Sequence, residues 1–219
     1  MRGGGTKCDR GFERLVDEGD CETEVEYGMR LLNRTNQERD IENGFELVYD
    51  GGERDNAKGL YETGRCFEME LHVERDKDKA LEYYLRSLFK GYDVPVKRIE
   101  AVYNEKSCVF DRLRSEFEIV QRKAIEDNDG PSLRIMGICY RQGLFVEKDK
   151  EEGMRLLSVS AEKGDSYAQF NLGMCFFHGD GVEMDKEKGI RLWRVSSEQG
   201  NSDAQKILVF VFLEEMELK

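Results

Sequence analysis

The sequence predicts an all-helical repeat array, and three observations predict it. Between Ser132 and Ala204 the chain repeats itself at a spacing of 36 residues: Met136-Gly137-Ile138-Cys139-Tyr140 falls on Leu172-Gly173-Met174-Cys175-Phe176. Within each copy the apolar residues recur at helical rather than alternating spacing. Glycines then punctuate the copies at matching places, with Gly143, Gly153 and Gly164 answered by Gly179, Gly189 and Gly200. Only two prolines, with abundant Glu, Lys, Arg and Leu, fit the same class.

Each element of the 165–200 copy has a physical reason. Ala168, Leu172, Cys175 and Phe176 share one face of a first helix. Gly173 in its middle costs about 1 kcal/mol against Ala, a cost that persists where a neighbouring backbone comes close. Gly179-Asp180-Gly181 turns the chain, and Asp185 caps a second helix whose apolar surface is Ile190, Leu192, Trp193 and Val195. Recurrence of aspartate at 40, 76, 149 and 185 reads the same way, as a cap at the start of every second helix.

Taken in order, residues 1–20 form a glycine-rich, charged leader without apolar period. One helical-repeat domain over 21–219 follows, with units at about 22–55, 56–91, 92–128, 129–164 and 165–200 and a capping helix at 201–219. The first unit is worn. The third lacks the turn glycines, so either register is held across it or the array is kinked there. In the last segment Ile207–Leu213 is apolar almost all round; it covers the end of the array or meets a partner chain.

Ala168, Leu172-Gly173, Phe176, Gly179, Gly181-Val182, Asp185, Lys188-Gly189, Trp193 and Gly200 resemble the SEL-one-like repeat, a relative of the tetratricopeptide repeat. The 165–200 copy departs only in Gly189, where the family prefers Ala. The 129–164 copy has Leu144-Phe145 for Asp-Gly in the turn and Leu157 for the Trp. This resemblance implies an α-solenoid, a right-handed superhelix of antiparallel helix pairs with about 36 residues per repeat. It also implies that first helices line a concave face. Projected onto this chain, that face carries Tyr61 and Arg65, then Arg134, Ile138 and Arg141, then Tyr167, Phe170, Asn171, Met174, Phe177 and His178. An aromatic and Met-rich end grading into arginines suits an extended or helical peptide; equally, these side chains simply pack against neighbouring helices.

Composition narrows the function classes. A formal charge of −12, from 34 basic and 46 acidic residues, opposes binding to nucleic acid or anionic membrane. No segment approaches the roughly 20 apolar residues of a membrane span, and the start has no secretory apolar core, so a cytoplasmic location with reduced thiols is expected. Cys66, Cys139 and Cys175 share one repeat position, which marks a small apolar packing residue. Cys175 and His178 stand three apart, but two ligands do not make a metal site. Nucleophile-elbow, His-Glu-x-x-His and dinucleotide fingerprints are missing.

The expected protein is therefore a monomeric, non-enzymatic scaffold or adaptor, without cofactor or metal, that holds a partner protein or peptide in its groove. A regulatory or activating subunit of an enzyme complex is the alternative. A more remote one is the penicillin-binding, β-lactamase-like hydrolase of cysteine-rich family members, which carry paired cysteines in each repeat where each clear unit here has one.

Overall fold

The computed structural model describes residues 20–34, 38–92, 96–103 and 107–217, and those residues contain helices and no strand. The helices are α1 (Cys21–Arg34), α2 (Glu38–Glu53), α3 (Ala57–Met69), α4 (Lys77–Phe89), α5 (Val96–Val102), α6 (Val109–Arg112), α7 (Arg114–Glu126), α8 (Gly130–Gln142), α9 (Lys150–Glu162), α10 (Ser166–His178), α11 (Lys186–Glu198) and α12 (Ser202–Glu217). The predicted leader lies outside the described residues, Asp20 excepted. Two compact units divide the chain, one ending at Leu113 and the other beginning at Arg114. In the third predicted unit, α6 and α7 are separate helices, with this division between them.

The repeat is a pair of antiparallel helices, and sequence-local contacts set its ends. Asn56, Asp129 and Asp165 cap the first helices α3, α8 and α10 through backbone N–H groups at 2.9, 2.9 and 2.7 Å. Asp76, Asp149 and Asp185 cap the second helices α4, α9 and α11 at 2.9, 2.9 and 2.8 Å. Each such cap contributes about 1 kcal/mol. Asp40 departs from the expectation: it sits inside the first turn of α2, where it favours the helix dipole rather than capping.

Two devices lock the helices of a pair together. Ser87, Ser160 and Ser196, all buried on second helices, donate to the carbonyls of Ala57, Gly130 and Ser166 at the start of the first helices, at 2.6, 2.7 and 2.6 Å. Close backbone approach is the other. A Cβ on Gly173 would stand 2.6 Å from the Trp193 ring and 3.0 Å from the carbonyl of Gly189, while one on Gly189 would stand 2.8 Å from the carbonyl of Gly173. Gly137 and Gly153 face each other in the same way. The predicted role of Gly173 is therefore met by Trp193, which is fully buried.

Turns between paired helices use two left-handed residues. Gly179 and Gly181 supply them after α10, but Gly143 and Phe145 do so after α8, and Glu70 and His72 after α3. Positive φ strains a non-glycine residue, and packing offsets the strain. Phe145 stacks on Phe117 at 4.7 Å with the Arg114 guanidinium 5.6 Å from its ring, and His72 lies 5.9 Å from the ring of Phe45. The shared cysteine position is core: Cys66, Cys139 and Cys175 are at most 1% exposed, and every described cysteine is free. No helix among the described residues is long and apolar enough to cross a membrane.

Candidate functional site

In the first unit the candidate residues lie on α3. Tyr61 is half-buried, its ring 5.6 Å from Tyr84 and 5.2 Å from Tyr92. Arg65 donates to Glu62 at 2.6 Å. Burial raises the Glu62 carboxyl above its ordinary range, and Arg65 opposes that rise. One turn on, Glu68 accepts from the Tyr84 hydroxyl and from Arg98 of α5 at 2.7 Å, tying the repeat to the helix that follows it. Arg65 and Tyr61 are thus engaged in packing and charge neutralisation within the unit.

The second unit carries the other candidates, and it sorts them sharply. Every residue of α8 from Ser132 to Cys139 is buried, because α7, α9 and α10 pack around it. Arg134 and Ile138 are each 1% exposed and Arg141 is 7%. These three were placed on an open face by projection from the repeat pattern; the structure puts them inside. An isolated charge in an interior costs several kcal/mol unless paired, and both arginines are paired.

Arg134 and Arg141 stand two helical turns apart on α8 and reach the two ends of α10. Arg134 holds Asp165, the cap of α10, at 3.2 Å, with its guanidinium 5.2 Å from the ring of Tyr167. Arg141 bonds Asp180, in the turn after α10, and Lys150 reaches the same carboxylate at 2.8 Å. The Lys150 hydrogen bond, helped by the charge of Arg141, holds the Asp180 carboxyl below its usual 3.8. A Cβ on Gly153 would lie 2.4 Å from Cγ of Arg141, so the bare glycine makes the arginine's channel.

What remains for a partner is the outer stripe of α10. Tyr167, Asn171, Met174 and His178 fall at i, i+4, i+7 and i+11, one side of the helix, with Tyr167 and His178 exposed and the other two partly so. Phe170 and Phe177 flank it and are partly spent on packing. The Phe170 carbonyl accepts from the Trp193 indole at 3.2 Å, and the Phe177 ring lies 4.9 Å from Trp193 with the Lys186 ammonium 5.4 Å from its centre. Cys175, three residues before His178, is buried and its thiol is pushed up to about 11, chiefly by desolvation. Its side chain faces the core while His178 faces solvent, which separates the one pair considered for a metal.

Sequence reasoning missed the arginine clamps, the serine hooks and the tyrosine–glutamate–arginine link. The serines had a readable signal, since Ser160 and Ser196 stand 36 apart. The ion pairs had none, because their partners belong to different repeats.

The Sel1 repeat family model matches residues 57–92, 131–165 and 166–201. These are the helix pairs α3–α4, α8–α9 and α10–α11. Similar solved structures include a Sel1 repeat protein from Oxalobacter formigenes (20% identity, TM-score 0.45, covering 91% of this chain and 57% of that one). A protective antigen of uropathogenic Escherichia coli strains with an SLR fold is another (21%, 0.42, 92% and 50%). An immunity protein from Pseudomonas aeruginosa is a third (21%, 0.42, 84% and 67%). The chain thus spans about half to two thirds of the length of these structures. No curated protein matches the sequence.

Proposed function

This chain belongs to the Sel1-repeat family, and on that premise we propose that it is a non-catalytic scaffold that docks a partner protein or peptide on the outer stripe of α10. One observation carries the reading: after the clamps, hooks and core contacts are satisfied, α10 still presents Tyr167, Asn171, Met174 and His178 along three turns. A stripe of aromatic, thioether and amide groups at i, i+4, i+7 and i+11 is what an amphipathic helix or extended peptide engages. Tyr167 is held by the cation above its ring, and so meets a partner at little further entropic cost.

The arginines belong to the scaffold rather than to the recognition surface. They fix the first helix of one repeat against both ends of the next, so the stripe is presented on a rigid element. The test compares proteins captured by the wild type with those captured by a Tyr167→Ala/Met174→Ala/His178→Ala variant of matched melting temperature. A protein held by the first and lost by the second, and cross-linked to α10, supports the reading. Identical capture by both removes α10 from it.

A further inference from the structure

The repeat register reaches back into the leader. The second helices α2, α4, α9 and α11 each end two residues before a left-handed residue: Asp55, Gly91, Gly164 and Gly200, at φ of 62, 89, 89 and 88°. After three of these the next residue, Asn56, Asp165 or Asn201, caps the helix that follows. The chain enters α1 through the same kind of pair, Gly19-Asp20, and Asp20 accepts the backbone N–H of Thr23 at 3.1 Å. Such a join follows a second helix everywhere else in the chain.

Counting back from the join gives the same answer. Seven residues before it stand Val48, Tyr84, Leu157 and Trp193, all fully buried, and eleven before it stand Gly44, Ala80, Gly153 and Gly189, all small and buried. Counted back from Gly19, these places hold Phe12 and Cys8, again a large apolar residue and a small one.

α1 has a side for such a segment. Whereas α3, α8 and α10 each pack between the helix before and the helix after, α1 among the described helices packs on α2 and touches α3, both of which follow it. Toward the preceding helix α3 turns Gly59 and Thr63, and α10 turns Ala168 and Leu172, three and seven residues after the cap; all four are buried. The same places in α1 hold Thr23 and Tyr27, which are partly exposed. Contacts across this side are regular elsewhere. Seven residues before the join, the carbonyl of Val48 accepts from Thr63 at 3.2 Å, and Leu157 shares a core cluster with Leu172. Three before it, Gly52 has its nitrogen 2.7 Å from where a Cβ of Gly59 would stand, and the carbonyl of Ala161 accepts from Gln169 at 3.3 Å.

We propose that residues 8–16 of this chain dock on the Thr23–Tyr27 side of α1 in the place of a second helix, with Phe12 on Tyr27 and Val16 beside Thr23. Connectivity makes the chain's own start the occupant. Three residues link Val16 to the cap at Asp20, as three link Gly52 to Asn56 and Ala161 to Asp165, and so short a link holds the segment at an effective concentration on the order of millimolar. Once docked, it closes the first end of the array against end-on association, as terminal units of repeat proteins must. This contact is separate from the α10 stripe.

Cross-linking and hydrogen exchange on the full chain test it. With the photo-reactive p-benzoylphenylalanine in place of Phe12, irradiation of mixed unlabelled and isotope-labelled protein should join residue 12 to the α1 peptide, Cys21–Arg34, of the same chain. Phe12→Asp should speed exchange of the α1 amides about tenfold, while Thr6→Asp, the same charge change just outside the segment, should leave it as it is. A cross-link between labelled and unlabelled chains puts the segment on a second copy and overturns the proposal, as does a cross-link that misses α1. Exchange that responds equally to the two substitutions overturns it too. Should Phe12→Asp unfold the first unit altogether, the cross-link decides alone, because its side chain keeps the aromatic bulk.

Discussion

Arg134 on α8 and Asp165 at the start of α10 form a buried pair: their side chains are 2% and 7% exposed and approach to 3.2 Å. The same carboxylate accepts the backbone N–H of Ala168 at 2.7 Å, so one side chain both starts a helix and anchors it to its neighbour. At the other end of α10 the buried Arg141 pairs with Asp180, a more open carboxylate that is 43% exposed. Ion pairs inside proteins often add little net stability, but removing one partner leaves the other charge buried and unmatched.

Arg134→Ala should therefore destabilise the second unit by about 3–5 kcal/mol. Arg134→Met, which keeps an unbranched apolar stem, should cost less once Asp165→Asn is added in the same chain. Denaturant unfolding of the two variants against wild type checks the order; equal losses would show that packing, not charge, holds the clamp.

Gly173→Ala should destabilise by about 1–3 kcal/mol, because the new methyl meets the Trp193 ring. Pairing it with Trp193→Leu, the residue that the 129–164 copy uses, should make the double loss smaller than the sum of the single ones. Additive losses in thermal unfolding would deny that the two residues compete for one space.

Thiol reactivity should divide by burial. Desolvation pushes Cys66 and Cys139 up to about 12 and Cys175 to about 11, and only thiolates react fast. In native protein at pH 8, iodoacetamide should modify the exposed Cys108 and spare these three, as read by peptide mass spectrometry. The same shifts predict an alkaline limb. The unfolded thiols ionise near 9 while the folded ones stay protonated, so stability should fall as pH rises from about 9 toward 12.

At the acid end the sign reverses. Asp180 is held below 3.8 by Lys150 and Arg141, and Asp129 by its hydrogen bonds from Ser132. Folding with a lowered carboxyl stabilises above the unfolded value, and that contribution is lost as pH falls below 3.8 through the folded one. Melting temperature should drop across that window, and Asp180→Asn should start lower yet fall less steeply.

The sequence by itself determined the class, the 36-residue period and the two best repeats, down to the caps at Asp76, Asp149 and Asp185 and the glycine at 173. Those features depend on contacts within a few residues, or on a periodicity that any neighbour of the same kind satisfies. Where local rules were broken, tertiary contacts decided. Phe145 and His72 hold left-handed turns because Phe117 and Phe45 receive their rings. The fate of the projected interaction face was decided the same way. Periodicity places Arg134, Ile138 and Arg141 on one side of α8, but whether that side meets water depends on which helices close over it and where their carboxylates stand. Asp165 and Asp180 lie 31 and 39 residues away from their arginines, and only the packing of one repeat on the next brings them within bonding distance.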